Sequence, residues 1–136
     1  MPLDYQTMNP AELGAPLGLY SQISRVSAAE LIFIAGQLPI DSAGKMVGAD
    51  DFDAQMRQVI TNVGNALHSV ECSFANVVRF TTYLIDDHYI ELFMQLRHEL
   101  FPTLFANEKY PPNTLLIVKR LVRKGFLIEI DAIAAR

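Results

Sequence analysis

The sequence has no tryptophan and a single cysteine, Cys72. One thiol cannot close an intrachain disulfide, so a disulfide-stapled fold is excluded and a reducing compartment fits. Basic charge is also scarce. Eleven Lys and Arg stand against fifteen Asp and Glu, a formal net charge of −4. Nucleic acid and anionic membranes both reward surplus cations, so neither is the expected main partner. No apolar run approaches the ~20 residues of a membrane-spanning helix. The N-terminus, MPLDYQTMNP, has neither a basic start nor an apolar stretch and does not read as a signal peptide. The glycine-rich phosphate loops, the H-E-x-x-H zinc site and the C-x-x-C pair are missing as well. His68, His88 and His98 do not share one helix face at ligand spacing, so no metal is expected.

What is present is enough for one globular, cytoplasmic domain. The chain has 136 residues, 51% apolar and 19% charged, which suffices for a real core. LYSQISRV (19–26) alternates like a strand, and ELIFIAG (30–36) reads as a buried one. Phe52, Met56, Val59, Ile60, Val63, Leu67 and Val70 recur at helical spacing behind Asp50 and Asp51, predicting a helix over 52–71. NVVRFTTYLID (76–86) is β-branched and aromatic, hence a strand. Ile90, Phe93, Leu96, Leu100 and Phe101 predict a second helix over 88–101, which Pro102 should end or kink. A strand over 113–120 follows, then a turn at LVRKG and a hairpin partner over 126–135. The pattern predicts an α+β layer, a mixed sheet of about five to six strands with two helices packed on one face.

Two helices cover one sheet face only. Yet LIFIA and LLIV are apolar at successive positions, so both of their faces are apolar. The surplus face is expected to meet other subunits. In the last strand, Phe126, Ile128 and Ile130 alternate with Leu127, Glu129 and Asp131. The first set suits the helix layer, which puts Glu129 on the surplus face. A carboxylate there is either a structural partner of Arg79, Lys119 or Arg120, or an acid/base group in a cleft. KRLVRK concentrates basic residues and reads as a charged hairpin that resists edge pairing. Cys72, at a helix end, reads as an inert thiol.

YPPNTLLIVKRL (110–121) is a strand whose mouth is stiffened by two prolines. GLYSQ, FIAGQLPID, NVVRFTTYLID, PPNTLLIVKRL and LIEIDAIAA, in this order and spacing, resemble the RidA/YjgF family, also labelled L-PSP endoribonucleases. The resemblance spans about residues 13–135. It implies a chorismate-mutase-like fold, a homotrimer, and ligand sites in clefts between subunits. It also implies hydrolysis of reactive imines and enamines to 2-oxo acids and ammonia with no metal or cofactor. Residue by residue it implies catalytic roles for Glu129 and Tyr20. Ligand-binding positions then fall at Asn113, Thr114, Ala35, Gly36, Leu115 and Met94. The family's carboxylate-binding arginine is replaced by Asn113, its frequent cysteine by Leu115, a serine by Ala35, and an asparagine by Met94. Losing a bidentate charged grip costs on the order of 10–1000-fold in kcat/KM. The expected protein therefore binds or processes a small reactive metabolite, with weak or absent 2-imino-acid deaminase activity. The alternatives are an active deaminase that grips the anion elsewhere, with Lys119 and Arg120 as candidates, and a non-catalytic ligand-binding or regulatory module. Ribonuclease action is disfavoured. Asn113→Arg is expected to raise imine turnover.

Overall fold

The computed structural model describes residues 3–136. The strands are β1 (Asp4–Met8), β2 (Ile23–Ser27), β3 (Leu31–Gln37), β4 (Val77–Leu84), β5 (Asn113–Ile117) and β6 (Ile128–Ala135). Helix α1 (Phe52–Ser69) lies between β3 and β4, and α2 (Ile90–Leu104) between β4 and β5. Four strands form a mixed sheet in the order β3-β6-β4-β5, and β1 with β2 forms a separate antiparallel ribbon. The β4–β5 pair is parallel, while β3–β6 and β4–β6 are antiparallel. This is the expected α+β class. No helix among the described residues is long and apolar enough to cross a membrane.

Helix α1 starts where Asp51 Oδ1 accepts a hydrogen bond from Ala54 N, at 3.1 Å. Its buried residues Phe52, Met56, Val59, Ile60, Val63 and Leu67 are the expected stripe. They share one core with Phe80 and Leu84 of β4 and with Ile128, Ile130, Ala132 and Ala134 of β6. Each fully buried side chain of this size contributes about 1.5–3 kcal/mol. Gln55 is fully buried in the same stripe. Its Nε2 donates to Gly48 O and Gly125 O, at 3.0 and 2.9 Å, and its Oε1 accepts from Leu127 N at 2.8 Å. One amide thus ties the start of α1 to the entrance of β6. A smaller cluster of Tyr5, Val78 and Ala135 joins the ribbon to the sheet.

The structure departs from the sequence reading in five places. Strand β1 was not foreseen, and it makes the ribbon with β2 rather than extending one sheet. The segment over 19–26 is strand only from Ile23, because residues 14–20 fold as a loop over α2. Strands β5 and β6 are not a hairpin. β6 buries Ile128, Ile130, Ala132 and Ala134 and takes an inner place, whereas Leu116 and Ile117 stay exposed and β5 takes the edge. The segment 118–127 therefore crosses over β4 instead of turning tightly. Leu127, not Phe126, joins the main core, since strand alternation begins only at Ile128. Pro102 does not end α2, which runs on to Leu104; the proline forgoes the bond an N–H there would give His98 O, and the helix still closes with Phe105 N donating to Phe101 O at 2.9 Å.

The sheet face away from the helices is covered by the ribbon only near Val78, Ile133 and Ala135, and elsewhere exposes apolar side chains beside Glu129 and Asp131. Leu31 and Phe33 of β3 are 56% and 73% exposed. Cross-strand pairing puts Phe33 beside Ile133, Tyr83 beside Glu129, and Tyr83 beside Leu116. This is the surplus face that the unbroken apolar runs foretold.

Candidate functional site

The proline pair delivers the chain to β5, where Pro112 O accepts from Phe80 N at 2.9 Å. In the parallel register Asn113 stands beside Phe80 and Leu115 beside Thr82, both on the helix side. Thr82 is 1% exposed, and its hydroxyl donates to Asn113 Oδ1 at 2.8 Å. That bond orients the amide and leaves its NH2 free to act as a donor.

Asn113 and Leu115 line a cavity of about 250 Å3 with Leu17, Tyr20, Ile90, Met94 and Arg97. Four residues expected from the sequence, Tyr20, Met94, Asn113 and Leu115, therefore meet in one place. Tyr20 arrives on the 14–20 loop, its hydroxyl accepting from Leu17 N at 3.2 Å. Helix α2 supplies the opposite wall. The preceding turn is held by Asp86, whose side chain accepts from His88 N at 3.0 Å.

Arg97 is the residue that the sequence reading missed. It is 3% exposed. Its guanidinium carbon lies 4.9 Å from the Phe93 ring centre and 5.5 Å from that of Tyr20. Nη2 donates to Met94 Sδ at 3.0 Å, and no carboxylate among the described residues pairs with it. Burial pushes its pKa down to about 10, with the Tyr20 phenol acting in the other direction, so it is a cation at neutral pH. Gly18 makes the room: a Cβ there would collide with the guanidinium and with the Met94 methyl. The missed signal was a cation at the fourth position after Phe93, inside an apolar helical stripe.

The remaining expected residues lie on the other face of the sheet. Between Ile34 and Gln37 the β3–β6 register slips, forming a bulge at Ala35 and Gly36. The bulge opens space for Glu129, because a Cβ on Gly36 would collide with its carboxylate. Ala35 and Gly36 line a shallow groove with Phe33, Ile34, Asp131, Ala132 and Ile133. Burial, and secondarily Asp131, raise the Glu129 pKa above the usual glutamate value. Tyr83 donates to Asp131 Oδ2 at 2.9 Å, and Arg79 Nη2 to Thr114 Oγ1 at 3.2 Å. None of the ion pairs expected for Glu129, with Arg79, Lys119 or Arg120, forms among the described residues. One chain thus carries an apolar pocket with a buried cation on the helix side. On the opposite side it carries the Glu129 carboxylate against Gly36 at the bulge, next to an open groove lined by Ala35, Gly36 and Asp131, with Thr114 on the edge strand. No cluster of three His, Cys, Asp or Glu side chains able to hold a metal occurs among the described residues.

The family model described as Endoribonuclease L-PSP matches residues 11–136. The chain belongs to this family, the Rid family. A RutC family protein of Pyrococcus horikoshii is 36% identical over 119 residues, covering 88% of each chain. A 2-iminobutanoate/2-iminopropanoate deaminase of Bos taurus is 30% identical over 129 residues, 95% of this chain and 88% of that one. Among solved structures, the Rid protein YyfB of Yersinia pestis superposes with a TM-score of 0.87 at 25% identity, covering 97% and 98% of the two chains. Escherichia coli TdcF, solved with bound serine, gives a TM-score of 0.71 at 25% identity over 89% and 91%. Within this Rid chain the β3 bulge, the β5 mouth and the 14–20 loop carry all the expected positions except Met94, on α2, and Glu129, on β6.

Proposed function

We propose that this Rid protein processes small imine or enamine metabolites in clefts between subunits of a homotrimer, without a cofactor. The observation that carries the reading is the division of the site. Tyr20 and Asn113 line a pocket on one face, while Glu129 waits against Gly36 on the other, the face that further along β3 exposes Leu31 and Phe33. One small ligand reaches both only when a second copy brings its Glu129 to the pocket mouth. Burying the apolar face supplies the driving force, at about 25 cal/mol per Å2.

The chemistry follows from the groups. Glu129, made more basic by burial, takes a proton from water as the oxygen bonds to the C=N carbon. Glu129 passes that proton to the nitrogen, giving a carbinolamine, and then relays the hydroxyl proton to the nitrogen as the C–N bond breaks, so that ammonia leaves and a carbonyl remains. Tyr20 and the Asn113 amide orient the ligand. Asn113 supplies no charge at the β5 mouth, so a 2-imino acid whose carboxylate rests there turns over weakly. The bovine deaminase and serine-bound TdcF support a small amine-derived ligand. The net charge of −4 disfavours RNA.

The test generates 2-iminopropanoate in solution and follows its loss with and without the protein. Weak acceleration, abolished by Glu129→Gln, is the expected result. Turnover that survives Glu129→Gln refutes the assignment of the base. A stable monomer by sedimentation refutes the shared cleft.

A further inference from the structure

We propose that Arg97 is the anion anchor of this pocket, gripping a small monocarboxylate with an apolar body. The proposal deepens the cleft reading and rests on it for the pocket's role as a ligand site. Arg97 carries five N–H donors and a fixed charge. Its one protein hydrogen bond goes to a thioether sulfur, a weak acceptor. Among the described residues, the one sealed side-chain polar atom without a partner is Tyr5 Oη. The unpartnered donors of Arg97 are therefore not sealed into protein; they open onto the cavity. A purely structural arginine at 3% exposure would carry a carboxylate, and Arg97 has none. The aromatic rings of Phe93 and Tyr20 hold the cation in place but neutralise nothing.

The walls define the rest of the ligand. Leu17, Ile90, Met94 and Leu115 are apolar, and Asn113 adds one neutral donor. A cavity of 250 Å3 holds about eight water-sized groups. One cation in such a site matches one carboxylate through a two-pronged fork, whereas a phosphate dianion would leave buried charge uncompensated. Gly18 is part of the design, since any side chain there displaces the guanidinium. The anchor thus stands on the helix wall and not at the β5 mouth.

The experiment titrates 2-oxobutanoate, the hydrolysis product of 2-iminobutanoate, against uncharged 2-oxobutanamide and follows backbone amide shifts by NMR. Wild type should bind the acid at least 10-fold more tightly than the amide. Arg97→Gln should weaken the acid by about 10–100-fold and leave the amide unchanged. Arg97→Lys should retain part of the preference, and a thermal melt confirms that each variant is folded. Should Arg97→Gln fail to fold, Gly18→Ala, which displaces the same guanidinium, replaces it with the same expectation. Equal wild-type affinity for acid and amide overturns the anchor, as does a variant that weakens both alike. The imine assay separates the two readings. Glu129-dependent turnover without acid preference removes Arg97 alone. Arg97-dependent acid binding without turnover keeps the anchor and removes the catalytic reading.

Discussion

Placing an arginine at the strand mouth, as Asn113→Arg, where the family resemblance implies one, should damage this protein instead of improving it. The sequence alone argued for a gain, because Arg97 was not in view. Two costs follow from the structure. Thr82, 1% exposed, loses the acceptor that Asn113 Oδ1 provides, and an unsatisfied buried hydroxyl costs about 1–3 kcal/mol. The new guanidinium also shares the pocket with Arg97. A 250 Å3 cavity is about 8 Å across, and two like charges at that separation repel by about 2 kcal/mol at an effective dielectric constant of about 20. The sum, about 3–5 kcal/mol, is a large share of a domain's stability. It lowers Tm by roughly 10–20 °C for a chain of this size. Combining Asn113→Arg with Arg97→Met removes the repulsion and should recover about 2 kcal/mol relative to additivity. The double variant, not the single one, should gain turnover of 2-iminopropanoate. The assay is a thermal-melt cycle over the four proteins, paired with the imine assay. A single variant that melts within 3 °C of wild type, or a cycle that is additive, refutes the reasoning.

Three further outcomes are expected. Because the Glu129 pKa is raised in the folded state, its contribution to stability is full below the unfolded glutamate value and is lost as pH rises through the raised one. Glu129→Gln should flatten that part of the stability profile without lowering Tm at pH 7, while abolishing the turnover whose acid limb in wild type follows the Glu129 titration; a loss of Tm at pH 7 would contradict it. Gln55→Leu strands Leu127 N and two carbonyls in the core and should cost about 3 kcal/mol, roughly 10 °C in Tm; a shift below 3 °C sinks the tie between α1 and β6. Phe33→Glu, at a residue 73% exposed in one chain, should leave the fold intact and split the proposed trimer, read by sedimentation velocity.

The helices and the central strands were legible because their signals are local and periodic. Six apolar residues at helical spacing wrote α1, which ends just before the seventh, Val70, and unbroken apolar runs wrote β3 with its two apolar faces. Strand order was not legible in the same way. β5 and β6 are neighbours in sequence, and a basic turn between them reads as a hairpin. The sheet separates them because β6, small and apolar on its helix side, fits the centre better than β5 does. Nor did β1 announce itself: DYQTM carries no run of β-branched residues, and its pairing with β2 is set by partners at a distance. In the site, the glycine at 36 and the glutamate at 129 were readable as positions. Their mutual fit, in which the bulge makes room for the carboxylate, was not.

Arg97 shows why a missing residue should be sought in space before it is declared absent. Read along the strand, Asn113 is a lost charge. Read across the pocket, the charge is there, carried by a helix whose other side chains at that wall are apolar. The two positions then form one feature. An arginine at 113 and an arginine at 97 would repel, and an asparagine at 113 beside a methionine at 97 would leave no charge at all. The neutral residue on the strand is thus what allows the cation on the helix to remain buried and unpaired, with its donors turned toward the cavity. If the grip is that cation, the carboxylate of a bound ligand lies against α2 instead of the β5 mouth. The C=N carbon is then displaced relative to a ligand held at position 113. Substrate preference should differ from that of a chain with arginine there, even where Glu129, Gly36 and Tyr20 are the same.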